Sequence, residues 1–224
     1  MDSSAGPSAV RRWNDPVLVE RQIDSDSPVR SRFELGLPLP VLHDQYVTLR
    51  ELRADDAAAL LVHVSPPEVS RHIAPAPTTV EGFKSFVRWT HAQRRRRLHA
   101  AFGLVPAGNL RPVGLLQFWP IERDYSTAEW GFVVGQQYWG TGLFGRGARL
   151  MLDFAFDTVG VLRMEARSAQ VNARGNGALR KLGAIPEGTL RSAFRQGTRV
   201  ADHVMWSILA TEWRSVPRAG DGQE

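Results

Sequence analysis

The segment with the clearest chemical potential is a glycine-rich loop in the middle of the chain. Residues 140–145 read Gly-Thr-Gly-Leu-Phe-Gly, between a strand predicted at about 127–134 and a helix predicted at about 142–157. Glycines let the backbone turn tightly, and the first turn of a helix offers unpaired N–H groups at the positive end of the helix dipole. Such a group of donors binds phosphate. The loop therefore predicts a ligand that carries phosphate groups.

The same residues formally match the G-x-G-x-x-G fingerprint of a dinucleotide site, with Glu165 twenty residues after the last glycine. Three features argue against that interpretation. Residues 135–139 separate the loop from its strand, and Glu165 falls in the middle of a predicted strand rather than at its end. The neighbouring strands also follow one another as meanders, whereas a dinucleotide fold repeats β-α units. A dinucleotide ligand is therefore disfavoured.

The loop resembles the pyrophosphate-binding loop of the GCN5-related N-acetyltransferases (the GNAT family). The matching pattern is Gln137-x-x-Gly140-x-Gly142, which that family writes as Q/R-x-x-G-x-G/A. Three residues in a short pattern carry little information alone. Their position between the expected strand and the expected helix makes the resemblance specific.

The sequence that follows extends the resemblance to the branch that acetylates ribosomal-protein N-termini (RimJ/RimL-like). Asn172 stands after the fifth strand of that fold, and Leu182-Gly183 ends the next helix. The closing segment, from Asp202-His203 to Glu212-Trp213, is similar as well. The resemblance covers about residues 45–213.

The resemblance implies an α/β (α+β) fold with a mixed, mostly antiparallel central sheet and flanking helices. Its fourth and fifth strands, here about 127–134 and 162–169, would splay apart and hold acetyl-CoA between them. Backbone amides of the fourth strand would pair with the pantetheine arm, the loop would hold the pyrophosphate, and Asn172 would lie near the pantetheine or the thiol. The predicted cofactor-binding residues are Phe132, Val133, Val134, Gln137, Gly140, Thr141, Gly142, Leu143, Phe144 and Asn172.

Acetyl transfer to an amine needs a base, a donor for the oxyanion and a proton for the departing thiolate. Glu129 is the candidate base, because it alternates with Gly131 along the strand and so faces the space left by the missing side chain. An ordinary carboxylate is a weak base for an amine, so Glu129 would act through water or orient the ammonium. The alternative is a rim carboxylate paired with an arginine. The amide of Val133 or Val134 would stabilise the oxyanion.

The sequence departs from the family at the residues that usually act as the general acid. Relatives often carry a tyrosine where this chain has Leu179, and the ribosomal branch often has a serine at the place of Gly175. Ser168, Asn172 or solvent are the candidates that are left. Because both usual donors are missing, the alternative to an enzyme is a CoA-binding regulatory module without turnover.

Hydrophobic periodicity places these candidates on regular elements. Strands are predicted at about 45–52, 99–105, 112–120, 127–134, 162–169, 185–194 and 198–209. Helices are predicted from residue 57, from 78 to 97, from 142 to 157 and from 173 to 182. The predicted organisation is an N-terminal extension at 1–40, the acetyltransferase domain at 41–215 and a tail at 216–224.

Composition narrows the possible partners. The net charge of +5 attracts anions, but the one arginine run, 94–97, ends a predicted helix, where cations suit the helix dipole. Nucleic acid is therefore not the expected partner. The sequence has no cysteine, which excludes disulfides and thiolate metal sites, and its histidine spacing predicts no metal site.

We expect a cytoplasmic protein without a membrane span, since no run of eighteen apolar residues occurs. The predicted partners are acetyl-CoA and an amine acceptor, either a peptide N-terminus or a small amine. A monomer or a homodimer is expected.

Overall fold

The computed structural model describes residues 36–73, 75–196 and 199–215. Within them, one eight-stranded sheet carries helices on both of its faces. The predicted N-terminal extension lies almost wholly outside the described residues, and the predicted tail at 216–224 lies outside them altogether.

Every strand and helix predicted from the sequence is present. The strands are β1 (Leu42–His43), β2 (Val47–Glu51), β3 (Ala100–Pro106), β4 (Gly114–Pro120), β5 (Thr127–Val134), β6 (Arg163–Ala169), β7 (Ile185–Gln196) and β8 (Arg199–Leu209). The helices are α1 (Ala57–Val64), α2 (Pro67–Ser70), α3 (Val80–Arg95), α4 (Leu143–Asp153), α5 (Ala173–Lys181) and α6 (Ala210–Ser215). A π-helical turn, Phe154–Val159, continues α4. The prediction missed β1, α2 and α6, which are too short to show a period.

The strand order is β1-β2-β3-β4-β5-β6-β8-β7, and every neighbouring pair is antiparallel except β5 and β6. These two strands are parallel and are paired only from Thr127 to Glu129 on β5, opposite Arg163 to Glu165 on β6. Beyond that point they diverge. The mixed, mostly antiparallel sheet with a splayed pair is therefore confirmed.

Two apolar clusters fix the helices against the sheet. On one face, α1 and α3 bury Leu60, Phe83 and Val87 against Leu115 and Val133. Thr79 starts α3, since its side chain accepts the Gly82 N–H at 3.0 Å. Full burial of such side chains is worth about 1.5–3 kcal/mol each. This face carries the odd-numbered positions of β5.

On the opposite face, α4, α5 and α6 cover the even-numbered positions of β5 and the inner positions of β6 and β8. The shared cluster includes Met151, Leu179, Trp206 and Trp130. Helices α4 and α5 therefore lie on the same side of the sheet, one following β5 and the other following β6. The gap between the two diverging strands lies between these helices.

Among the described residues, none of the helices is long and apolar enough to cross a membrane. In the same part of the chain, no group of three His, Cys, Asp or Glu side chains is placed to hold a metal ion.

Candidate active site

The divergence of β5 and β6 coincides with a cavity of about 830 Å³. The end of β5, the loop after it, the first turns of α4 and one face of α5 line this cavity, together with residues around α2. A strand end, a glycine-rich loop and a helix N-terminus therefore meet at one space. The predicted phosphate site lies at that meeting point.

The loop has the geometry of a phosphate cradle. Gly140 and Gly142 have φ angles of 77° and 84°, a region that favours glycine, and no described atom lies within 4 Å of a Cβ added to either. The first backbone bond of α4 runs from the Arg146 N–H to the Gly142 carbonyl at 3.2 Å. The N–H groups of Phe144 and Gly145, both at the cavity, thus precede the hydrogen-bonded part of the helix. The residues present fit a pyrophosphate group.

The backbone of β5 offers two amides to the gap. The Gly135 N–H bonds the Val113 carbonyl of the chain leading into β4 at 2.8 Å. Because N–H groups alternate in direction along a strand, the amide of Val133 also points toward β4. The amides of Phe132 and Val134 point the other way, into the gap. Of the two amides predicted for the oxyanion, Val134 is the one that faces the cavity.

Glu129 lies on the opposite side of the sheet from α4, at the last paired row of β5 and β6. Its side chain is 18% exposed, and the Arg167 Nε lies 3.6 Å from its Oε1. Burial raises the pKa of Glu129, the charge of Arg167 lowers it, and the neighbouring Glu165 raises it again. The carboxylate is thus paired with an arginine, and its pKa is shifted toward that of a useful base, so the base and the rim carboxylate both stay predictions. Glu129 is outside the cavity lining itself.

Asn172 and Ser168 come together around Gly175. The Asn172 Oδ1 accepts the Gly175 N–H at 3.0 Å and caps α5, while Asn172 also lines the cavity. The Ser168 hydroxyl is buried and has no hydrogen-bond partner among the described residues. A Cβ at Gly175 would lie 2.5 Å from the Asn172 Nδ2 and 2.9 Å from the Ser168 Oγ. The serine that relatives often carry at this position has no room here.

Three predicted cofactor residues are outside the cavity lining. Gln137 is exposed on the 3-10 turn Gln136–Tyr138, and the preceding Gln136 lines the cavity instead. The Thr141 hydroxyl donates to the Tyr138 carbonyl at 2.8 Å and shapes the loop. Leu143 is buried in the core beneath it.

Cations that the sequence analysis missed line the cavity. They are Arg71, Arg149, Arg174 and Lys181. The Arg174 guanidinium lies 3.8 Å from the centre of the Trp139 ring, and the Trp139 indole N–H donates to the Val134 carbonyl at 2.8 Å. Arg174 and Lys181 lie seven residues apart on α5, so two helical turns put them on one face. That spacing is the signal that could have revealed them.

A buried amide that the sequence analysis also missed positions α5. The side chain of Asn176 donates to the Ala169 carbonyl at 3.0 Å and accepts the indole N–H of Trp206 at 2.9 Å. These bonds tie α5 to the end of β6 and to β8. The first turn of the same helix carries Asn172 and Gly175 beside the cavity.

Comparison with known proteins identifies the family. The sequence model of the acetyltransferase (GNAT) domain matches residues 47–185. The chain belongs to the GNAT acetyltransferase family. The uncharacterized N-acetyltransferase p20 of Bacillus licheniformis is 24% identical over 176 residues, which are 78% of this chain and 99% of p20. The predicted acyl-CoA-dependent acetyltransferase is therefore confirmed at the level of the family.

Solved structures of GNAT proteins share the fold. Mycobacterium smegmatis RimJ in complex with CoA-disulfide has a TM-score of 0.70 at 22% identity, covering 79% of this chain and 90% of RimJ. The ribosomal-protein-S5-alanine acetyltransferase of Vibrio fischeri has a TM-score of 0.68 at 17% identity, covering 78% and 98%. Members of the predicted branch are thus among the structural neighbours of this GNAT chain.

Proposed function

We propose that this protein transfers the acetyl group of acetyl-CoA to a primary amine, first the α-amine of a protein N-terminus and second a small amine. The observation that carries the proposal is the position of the glycine cradle at the cavity opened by β5 and β6, with Glu129 where the two strands part. A peptide acceptor is favoured because one structural neighbour is named as a ribosomal-protein acetyltransferase.

Backbone amides of this chain would do three things: hold the pantetheine arm, stabilise the acetyl oxygen and hold the pyrophosphate. Acetyl-CoA supplies an activated thioester when bound. The amides of Phe132 and Val134 point into the gap, where they would hold the pantetheine arm and stabilise negative charge on the acetyl oxygen. Loss of one donor of that kind costs about 3–4 kcal/mol in other enzymes. The amides at the start of α4 would hold the pyrophosphate.

Two side chains on opposite faces of the sheet, Glu129 and Ser168, would transfer the protons. Glu129 takes the proton that the acceptor nitrogen loses as it bonds to the acetyl carbon, directly or through a water molecule. Its raised pKa brings it closer to a useful base than an exposed carboxylate. The sulfur gains a proton as its bond to carbon breaks, and the Ser168 hydroxyl, buried and without a partner among the described residues, is the proposed donor. Asn172 would orient the arm beside it.

One observation favours the alternative of a CoA-binding regulatory module. The positions at which relatives carry proton donors hold Gly175 and Leu179, and Leu179 is buried at 1% exposure. A single assay separates the two functions. Purified protein is mixed with acetyl-CoA and a panel of peptides and small amines, and thiol release and acetylated product are measured by absorbance and mass spectrometry. Acetylated product that requires the protein supports the enzyme; CoA binding without product from any acceptor would favour the regulatory module.

A further inference from the structure

Two arginines of β6, Arg163 and Arg167, lie on the sheet face that is turned away from α4. Glu129 and Glu165 are Cα partners across β5 and β6, so they share this face. Arg163 and Arg167 stand two positions before and after Glu165, on the same face. The Arg163 Nε donates to Glu165 at 2.8 Å, and its two outer nitrogens donate to the Glu187 carboxylate on β7. All three nitrogens of Arg163 are therefore used within the protein.

Arg167 differs from Arg163 in its hydrogen bonds. Its Nε lies 3.6 Å from the Glu129 Oε1, which is an ion pair too long for a hydrogen bond. In the described part of the chain, its guanidinium forms no hydrogen bond, and its side chain is 38% exposed. Its Cα partner on β8 is Met205, which offers only a weak thioether acceptor. The planar fork of donors on Arg167, a shape that matches a carboxylate, is thus open to a ligand.

This fork borders the space that the proposed function gives to the acceptor. Two residues beyond the last paired row, Gly131 of β5 and Arg167 of β6 face each other across the widening gap. Among the described residues that are not its chain neighbours, only Trp119 has atoms within 4 Å of a Cβ built on Gly131, the nearest at 3.6 Å. The Trp119 ring stacks on His99 at 5.9 Å, which fixes its position. The space over Gly131 therefore has an aromatic wall on one side and a guanidinium on the other, with Glu129 next to it.

We infer that Arg167 binds a carboxylate of the acceptor, so that the acceptor is an amine with a carboxylate close to it. This inference rests on the proposed function, because it places the reacting amine at Glu129. Glu129 and Arg167 lie side by side, so one small group can present its amine to the first and its carboxylate to the second. A free α-amino acid has this arrangement, and so has a peptide that begins with aspartate or glutamate. The Trp119 ring packs against the carbon atoms of the acceptor.

Matched pairs of acceptors test the inference with the full chain and acetyl-CoA. One arm compares the common α-amino acids with their α-carboxamides, and the other compares peptides that begin with Asp or Glu with the same peptides beginning with Asn or Gln. The acetylated product is quantified by mass spectrometry to give kcat/KM for each acceptor. A carboxylate near an ammonium makes it harder to deprotonate, so reactivity alone favours the amide of each pair.

We expect the wild type to prefer the carboxylate instead in one of the two arms. The preference in kcat/KM should be about tenfold to a hundredfold, as for hydrogen bonds between charged groups. The arm that shows it identifies the source of the carboxylate, a free amino acid or the first residue of a peptide.

Variants of the two arginines assign the preference to one side chain. Arg167→Met keeps the aliphatic stem and removes the fork, so the preference for the carboxylate should disappear. Arg167→Lys keeps the charge beside Glu129 but not the fork, and should retain only part of the preference. Arg163→Met is the matched control on the same strand and face, and it should keep the wild-type ratio even where it lowers the rate. Both acceptors of a pair meet the same Glu129, so their ratio does not report on changes in the base.

Two outcomes would overturn the inference while the proposed function stands. One is equal or better use of the amide by the wild type in both arms, and the other is a preference that survives in Arg167→Met. Acetylated product is formed in either case, so the enzyme itself is not in question. If no acceptor gives acetylated product, the proposed function is wrong and the inference is wrong with it.

Gly131→Val tests the place of the acceptor independently. A β-branched side chain suits a strand, and here it fills the space beside the Trp119 ring. We expect the KM of the preferred acceptor to rise and the affinity for CoA, measured by calorimetry, to keep its wild-type value. An unchanged KM would place the acceptor away from Gly131 and Arg167, against the inference.

Discussion

Glu129 and Glu165 are Cα partners in the last row that joins the parallel strands β5 and β6. Their side chains share one face of the sheet, on strands about 4.8 Å apart. The Arg163 Nε bonds the Glu165 carboxylate at 2.8 Å, and Arg167 lies 3.6 Å from Glu129. Two carboxylates and two arginines thus meet where the strands separate. Because like charges disfavour ionisation, Glu165 raises the pKa of Glu129.

Replacing Glu129 with glutamine should separate catalysis from cofactor binding. The amide keeps the size of the side chain and cannot take a proton, so we expect turnover to fall by about 10²–10⁴-fold, as for the loss of a general base. The affinity for CoA, measured by calorimetry, should stay within about twofold, since Glu129 is outside the cavity lining. A wild-type rate in this variant would remove Glu129 from the mechanism.

The pH dependence of kcat/KM should respond to the charges around Glu129 with opposite signs. The base must be ionised, so its raised pKa sets an acidic limb above that of an exposed glutamate. Glu165→Gln removes a negative neighbour, lowers the pKa of Glu129 and moves the limb to lower pH. Arg167→Gln removes a positive neighbour and moves the limb to higher pH. Shifts of the same sign in both variants would contradict this electrostatic account.

Gly142 offers a test in which backbone strain can be separated from cofactor binding. Valine at φ 84° is strained by about 1–3 kcal/mol and also projects from the cradle. Gly108, in the turn between β3 and β4, has φ 80° and an equally open Cβ position, so Gly108→Val carries the same strain away from the cavity. We expect both variants to lose similar free energy of unfolding in urea and only Gly142→Val to lose CoA affinity. Equal losses of CoA affinity in the two variants would mean that backbone strain lowers the affinity, and would contradict a direct role of Gly142 in binding.

The sequence predicts the sheet and the cradle well for a physical reason. Strand alternation and helical spacing arise from burial on one face, and this pattern is strong in β5 and in α3, where Phe83, Phe86 and Val87 are buried as expected. Positive φ angles at Gly140 and Gly142 follow from the need for a tight turn. Both features are local, so the local sequence carries them.

The sides of the cavity could not be predicted in the same way. Arg149 and Lys181 lie on different helices, 32 positions apart in the chain, and only the divergence of β5 and β6 brings them to one space. Asn176 gives no local sign of burial either, since asparagine in the middle of a helix is usually a solvent-exposed residue. The exposure of Gln137 depends on the three-residue 3-10 turn after β5. Such a short turn shows no hydrophobic periodicity that a sequence could reveal.

Ser168→Ala should be a clean test of the proposed proton donor. The hydroxyl has no hydrogen-bond partner among the described residues, so its loss should change the free energy of unfolding by less than about 1 kcal/mol. If Ser168 protonates the sulfur, we expect kcat to fall by about 10²-fold with CoA affinity unchanged. The step can be measured as thiol release under saturating acetyl-CoA. A wild-type kcat would assign the proton to solvent or to Asn172.

Asn176→Leu should loosen α5 and with it the wall of the cavity. Leucine has a similar size, but it leaves the Trp206 indole N–H buried without its partner, whereas the Ala169 carbonyl still accepts the Asn172 N–H at 2.8 Å. An unsatisfied buried group costs about 1–3 kcal/mol, so we expect the free energy of unfolding to fall by about that amount in urea denaturation. Asn109→Leu, in the exposed turn between β3 and β4, is the control and should have little effect. Because Asn172 and Gly175 begin the same helix, the Asn176 variant should also bind CoA more weakly. Wild-type CoA affinity in a destabilised variant would show that α5 keeps its position without this amide.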